Sequence, residues 1–125
     1  MGTEFKREHI ELADKLRGLD PSIQGLSLVD GHGQLLAFSP ESHYAGKSAE
    51  EKEGWAMAAQ RMALLISIAV SHDDSLSPLQ SIVLIRKELK EVAVRLPVQD
   101  YIAIALVPQS INGAVIASKV KLHFP

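Results

Sequence analysis

The sequence predicts an α+β domain in which helices cover both faces of a five-stranded antiparallel sheet. A helical spacing of apolar residues opens the chain, an Asp-Gly turn joins two short apolar runs, and three β-branched runs follow one long apolar helix. The predicted order is helix, two strands, helix, three strands, helix. At 125 residues the chain has room for one domain, residues 1–125, with a single core.

The first three elements are marked by apolar spacing and by turn residues. The first helix carries apolar or half-polar side chains at alternating intervals of four and three, at Phe5, His9, Leu12, Leu16 and Leu19. Gly18 ends it. The runs Leu26–Val29 and Gln34–Phe38 then flank a turn that begins with Asp30 and Gly31. Asp-Gly between apolar runs predicts a tight β-hairpin, because glycine accepts the positive φ that such a turn requires.

The segment from Lys47 to Val70 predicts one long helix, preceded by a loop from Ser39 to Gly46. Its start is marked by a Ser and a Glu with the spacing of a capping box, Ser48 and Glu51. The second half is apolar on nearly every side, whereas a helix on one sheet face needs an apolar stripe only about 100° wide. Its alanines allow a second helix to approach closely. This excess predicts a subunit interface.

Three further apolar runs predict a meander of strands, over Ser81–Arg86, Glu91–Leu96 and Tyr101–Val107. Their apolar character is nearly continuous, as expected for strands that are covered on both faces. The tail is ambiguous, since Asn112 and Gly113 suit the start of a helix while Val120, Leu122 and Phe124 alternate with polar residues like a strand. Of the two, we favour the helix.

The polar residues form no recognised catalytic or metal-binding pattern. Gly46, Lys47 and Ser48 stand between a strand and a helix, but a phosphate-binding loop needs a glycine where this chain has Glu41. The five histidines lack the spacing of metal ligands, and there is no cysteine. No Gly-x-Ser-x-Gly elbow surrounds a serine. The sequence therefore predicts no catalytic residues, no cofactor and no metal.

Charge and hydropathy also bear on partners and location. The formal net charge is −2 and no basic run occurs, which argues against nucleic acid. The longest apolar run, Met62–Val70, is about half of the ~18 residues that suggest a membrane span. The charged N-terminus has no apolar signal core, and the lack of cysteine fits the cytosol. We expect a cytoplasmic protein without a membrane span.

The order of elements, the segment from Leu26 to Ser39 and the strand Tyr101–Val107 with a later Gly113 resemble the roadblock family of dynein light chains and their prokaryotic relatives. In the hairpin, the matching residues are Asp30, Gly31, Ala37 and Ser39. The resemblance implies a roadblock/profilin-like architecture, with the long helix on one sheet face and the terminal helices on the other. It also implies a homodimer in which the third strands pair edge to edge and the long helices pack together.

The implied interface lies on the long helix and on the third strand, at Trp55, Ala58, Ala59, Met62, Leu65, Ile66, Ala69, Ile82, Leu84 and Arg86. The family's usual work is regulatory, on small Ras-like GTPases or as adaptors in scaffold complexes. The resemblance therefore implies a non-enzymatic homodimeric regulator or adaptor. The alternative is a small ligand-sensing or enzymatic domain of profilin-like architecture, with a pocket between sheet and helix. A metabolite that raised the melting temperature would favour that alternative.

Overall fold

The computed structural model describes residues 5–76 and 78–124 of the chain. Within these residues it has five helices and five strands. In chain order they are α1 (Arg7–Arg17), β1 (Gly25–Val29), β2 (Leu35–Ser39), α2 (Glu41–Ala45), α3 (Ala49–Val70), α4 (Asp73–Leu76), β3 (Ser81–Ile85), β4 (Leu89–Arg95), β5 (Ile102–Pro108) and α5 (Gly113–Leu122).

The five strands form one antiparallel sheet in the order β2-β1-β5-β4-β3. The hairpin β1–β2 and the meander β3–β4–β5 meet where β1 pairs with β5, with Ser27 opposite Ile104. This arrangement leaves β2 and β3 as the two edge strands. The predicted α+β class is confirmed, with a five-stranded antiparallel sheet between helices.

The two faces of the sheet carry separate core layers. On one face α3 buries Ala59, Met62, Ala63 and Ile66 against a layer that includes Ala93 of β4. On the other face α1 and α5 pack against alternate residues of the same strand, since successive strand side chains point to opposite faces. The strands are thus covered on both sides, which accounts for their nearly continuous apolar sequence.

The predicted helix start and the favoured reading of the tail are both confirmed. Ser48 caps α3, with its Oγ accepting a hydrogen bond from the Glu51 N–H at 3.1 Å while the Glu51 carboxylate accepts from the Ser48 N–H. The tail is helical as α5, and the Asn112 Oδ1 accepts a hydrogen bond from the Ala114 N–H at 2.9 Å. Both caps are local interactions that the sequence spacing already specifies.

Two local predictions are wrong. The segment from Ser39 to Gly46 is not a plain loop, because it contains α2, whose Tyr44 is buried and stacks at 4.7 Å between ring centroids on Phe5. In the β1–β2 turn the positive φ falls on Gly33, at 87°, and not on Gly31. The Asp30 carboxylate organises this turn instead by accepting hydrogen bonds from two later backbone N–H groups, each at 2.9 Å.

Candidate interaction surface

The outward side of α3 carries a row of exposed apolar residues that we call the outer stripe. Its large members are Met57, Leu64, Leu65 and Ile68, with exposed fractions of 44%, 60%, 42% and 56%. Ala58 and Arg61 are also exposed within this row. The spacing of three and four residues places all six on one side of the helix, opposite the residues that contact the sheet. A long apolar strip therefore faces away from the chain's own core.

The second part of the surface is the free edge of β3. The Arg86 N–H donates to the Leu89 carbonyl at 2.8 Å, and this bond sets the register of the β3–β4 ladder. Because hydrogen-bonded and non-hydrogen-bonded pairs alternate in an antiparallel ladder, the backbone groups of Val83 and Ile85 point outward. The strand Ser-Ile-Val-Leu-Ile has no proline and no charged residue to protect this edge. It can accept another strand.

The sheet surface beside this edge is only partly covered. Ile82 and Leu84 of β3 pack at the border of the core layer under α3 and stay half-buried. On the opposite face Val83 and Ile85 have exposed fractions of 39% and 71%. Both faces of β3 are therefore incompletely buried in a single chain. The outer stripe, the open edge and these four side chains form the candidate interaction surface.

The residues expected at an interface do not all reach the surface of the chain. Ala59, Met62 and Ile66 are buried against the chain's own sheet, so they position α3 and present no outer surface. Trp55 is half-buried and stacks on Phe38 at 4.4 Å between ring centroids. This contact attaches the start of α3 to the β1–β2 hairpin.

The other expected residues lie at or near the surface. Ala58 and Leu65 are exposed on α3, Ala69 is half-buried beside them, and Ile82 and Leu84 are half-buried on β3. The remaining residue, Arg86, is exposed and forms an ion pair with Glu91 next to the β3–β4 turn.

Sequence reasoning missed several of the most exposed apolar residues of this surface, namely Met57, Leu64, Ile68, Val83 and Ile85. The first three follow a spacing of seven and four residues, which is a helical signal. The spacing alone does not show which side of α3 faces the solvent, because both sides of this helix are apolar. Once the buried residues show which side of α3 faces the sheet, the rotation of about 100° per residue places the exposed row on the opposite side.

Two cations stand over the aromatic residues at the start of α3. The Lys47 Nζ lies 5.7 Å from the centroid of the Trp55 ring, and the Lys52 Nζ lies 5.1 Å from that of Tyr44. Hydrogen bonds from the Ser48 backbone and hydroxyl lower the pKa of Glu51 in the same turn. These contacts hold the first turns of α3 in place, so the outer stripe projects from a fixed helix.

Metal binding and membrane insertion each require a recognisable arrangement of residues. Over 5–76 and 78–124, no cluster of three or more histidine and acidic side chains has the arrangement of a metal site. In the same part of the chain, no helix combines the length and the apolar character that crossing a membrane requires.

Comparison with known proteins depends on structure, because no family model and no curated protein sequence matches the chain. A roadblock/LC7 domain from Streptomyces avermitilis superposes with a TM-score of 0.64 over 88% of this chain and 86% of its own, at 12% identity. MglB from Myxococcus xanthus gives a TM-score of 0.65 over 94% of this chain and 89% of its own, at 11% identity.

A third solved structure agrees with these two. The gliding protein MglB from Thermus thermophilus gives a TM-score of 0.62 over 96% of this chain and 90% of its own, at 12% identity. The likeness extends over nearly the whole of each chain, so it concerns the complete arrangement of sheet and helices. The chain has the roadblock/LC7 fold, and the fold that the sequence resemblance implied is confirmed.

Proposed function

We propose that the protein is a non-enzymatic homodimer that regulates a small Ras-like GTPase or serves as an adaptor in a larger assembly. The observation that carries the proposal is the coincidence of two unprotected surfaces, the outer stripe of α3 and the open edge of β3. A second helix can bury the apolar side chains of the stripe, and a second strand can pair with the backbone groups of the edge. A second copy of this chain supplies both at once.

The energetics favour a partner that covers both surfaces together. Each half-exposed side chain of the outer stripe contributes about 1 kcal/mol when it becomes buried, or roughly 8 kcal/mol for the eight large side chains of two copies. Association itself costs about 4–15 kcal/mol in lost freedom. The stripe alone roughly offsets that cost. The hydrogen bonds of paired β3 edges add to the affinity and fix the register.

In our proposal two α3 helices pack antiparallel about a two-fold axis near Arg61. In that register Ile68 of one copy lies opposite Gly54 of the other. A Cβ atom on Gly54 would meet no atom within 4 Å of its own chain, so space exists there for a large side chain. The two Arg61 residues then lie near the axis, where their apolar stems pack in the seam and their like-charged guanidinium groups extend past its edge into solvent and repel each other. This repulsion costs about 1 kcal/mol in water, less than the apolar burial contributes.

The regulatory part of the proposal is supported by the roadblock resemblance and by the fold shared with MglB proteins. One solved MglB structure, 14% identical to this chain, is described as having a tetrameric arrangement, so the same fold supports self-association in that protein. In our proposal the dimer contributes a surface to the GTPase and no catalytic group of its own. The proposed place of action is the cytosol, where GTP-bound partners are found.

The dimer is tested by light scattering coupled to gel filtration at micromolar concentration. We expect twice the mass of the chain for the wild type and a single mass for Leu65→Asp, because a carboxylate in the apolar seam is costly to bury. Leu122→Asp is the matched control, since Leu122 is 81% exposed on α5, away from the stripe. A monomeric wild type, or two variants that behave alike, would contradict the dimer.

The GTPase role needs a separate measurement. Purified Ras-like GTPases of the source organism are loaded with GTP and followed for hydrolysis and for nucleotide exchange, with and without the wild-type protein. A change in either rate that Leu65→Asp abolishes and Leu122→Asp keeps supports a dimeric regulator. Binding without a change in rate supports the adaptor role. The absence of both binding and rate change with every such GTPase would overturn this part of the proposal.

A further inference from the structure

The link between β5 and α5 contains the dipeptide Asn112–Gly113, which includes the only asparagine of the chain. An asparagine side chain can react with the backbone nitrogen of the residue that follows it. Glycine has no side chain that hinders this approach. Asn112 is exposed, so water can reach it. The chain therefore carries the residue pair in which this spontaneous reaction meets the least steric hindrance.

The reaction has two steps, and water is its only co-reactant. First the Gly113 nitrogen bonds to the Asn112 Cγ atom, and the side-chain nitrogen leaves as ammonia with the Gly113 amide proton. This step closes a five-membered imide ring. Water then opens the ring at one of its two carbonyl carbon atoms. One opening gives an aspartate, and the other gives an isoaspartate, whose main chain runs through the Cβ and Cγ atoms.

The docked helix α5 holds Asn112 in a conformation that does not allow the first step. Ring closure requires the Asn112 Cβ atom and the Gly113 nitrogen to be nearly eclipsed about the Cα–C bond, whereas the ψ of 115° at Asn112 places them far apart. The Asn112 Oδ1 also accepts a hydrogen bond from the Ala114 N–H at 2.9 Å. Rotation about the Cα–C bond into the reactive geometry would break this cap and turn the Gly113 peptide.

Gly113 has no room to turn while α5 lies on the sheet. It is buried, and a Cβ atom on it would stand 2.8 Å from the Val83 Cγ2 and 3.4 Å from the Val92 Cγ2. The next turn of the helix is held by Ile116, which is completely buried. The reactive geometry therefore requires the start of α5 to leave the sheet. Proteins open locally in this way without unfolding as a whole.

We propose that Asn112–Gly113 is a self-modification site, which is closed while α5 is docked and reacts when α5 opens. The aspartate product keeps the cap and adds a negative charge at the helix N-terminus, where it is favourable. The isoaspartate product lengthens the main chain by one atom between the cap and Gly113. The cap and the contact with Val83 then no longer form together. In that fraction of molecules a transient opening of α5 becomes permanent.

The wild-type protein is incubated in mildly alkaline buffer, with and without denaturing guanidinium chloride. Peptide mass spectrometry measures the mass gain of the exchange of –NH₂ for –OH, and fragmentation distinguishes aspartate from isoaspartate. We expect modification of Asn112 in the denatured protein and a rate about ten-fold lower or less in the folded protein. Absence of the reaction in the denatured protein, or equal rates in both, would overturn the proposal.

Two matched variants separate the opening of α5 from global unfolding. Ile116→Val weakens the packing of α5, and Ile66→Val removes the same methyl group from α3 on the opposite face of the sheet. In folded protein we expect Ile116→Val to react about two- to ten-fold faster than the wild type, and Ile66→Val to react at the wild-type rate. Equal acceleration by both variants would mean that the site opens only with the whole fold, against the proposal.

The fate of the cap is measured on the purified isoaspartyl form. Its melting temperature should lie below that of Asn112→Asp, which has the same charge and an unaltered main chain. Equal melting temperatures would contradict a permanent detachment of α5.

Discussion

Gly33 lies so close to Gln60 that a Cβ atom on the glycine would stand 2.8 Å from the Cα atom of Gln60. The β1–β2 turn therefore fits directly against the middle of α3, backbone to backbone. The same glycine has a φ of 87°, which side-chain-bearing residues rarely adopt. One residue thus satisfies two requirements, the turn conformation and the close approach of the hairpin to the helix.

Gly33→Ala should destabilise the fold for both reasons. The left-handed backbone alone costs about 1–2 kcal/mol with a Cβ atom, and the contact with Gln60 adds to that cost. Urea unfolding should show a lower midpoint with little change in slope. Gly18→Ala is the control, because Gly18 has a right-handed backbone with a φ of −72° and a Cβ atom there would make only ordinary contacts, the nearest at 3.4 Å, so its midpoint should stay near that of the wild type. Equal midpoints for the two variants would contradict this account.

A second glycine contact joins α5 to the edge strand. A Cβ atom on Gly113 would lie 2.8 Å from the Val83 Cγ2, which is a side-chain atom and can be removed. We expect Gly113→Ala to cost about 1–3 kcal/mol through overpacking. The double variant with Val83→Ala should cost less than the sum of the two single variants by about 0.5 kcal/mol or more. Chemical denaturation of the wild type, the two single variants and the double variant measures this coupling. Strictly additive costs would show that the contact with Val83 is not the cause of the destabilisation by Gly113→Ala.

The contrast between α3 and α2 shows what the sequence can predict. The Ser48 and Glu51 cap and the β1–β2 hairpin depend on neighbours in the chain, so their residues identify them. The helix α2 has five residues, too few for a periodic signal. It is held by contacts of Tyr44 with Phe5 and Trp55, at 4.7 and 5.9 Å between ring centroids. Such contacts exist only after the fold has formed.

The candidate surface was predictable only in outline for a related reason. The apolar excess of α3 correctly indicated that one sheet face does not use all of its side chains. Which side chains remain exposed depends on the rotation of the helix about its axis. The sequence of a helix that is apolar on both sides does not determine that rotation. Hence Met62 and Ile66 were expected outside and lie inside, while Leu64 and Ile68 lie outside.

The β4–β5 turn contains a residue whose type is unfavourable for its backbone conformation, so a single substitution there can stabilise the fold. Gln99 has a φ of 50°, where asparagine is several-fold more common than other side-chain-bearing residues. Gln99→Asn should raise the free energy of unfolding by about 0.5 kcal/mol. The hydrogen bond that its side chain accepts from the Tyr101 hydroxyl, at 3.4 Å, is weak and costs little to lose. Gln80→Asn, at an exposed position before β3, is the control and should not stabilise. A midpoint lowered by Gln99→Asn would refute the assignment of strain to this residue.

The contact between Asp20 and Lys119 makes stability depend on pH in a defined direction. Hydrogen bonds from Lys119 and from the Ser22 hydroxyl and N–H hold the pKa of Asp20 well below its usual value of 3.8. A carboxyl group whose pKa is depressed by folding stabilises the fold above its unfolded pKa, and this contribution is lost as the pH falls towards the folded pKa. Lys119→Gln should therefore unfold at lower urea than the wild type at about pH 7, and the difference should shrink between about pH 4 and about pH 2. Lys121→Gln controls for the loss of one positive charge on α5 and should keep the wild-type profile. A difference between wild type and Lys119→Gln that stayed constant down to about pH 2 would mean that Asp20 does not carry the effect.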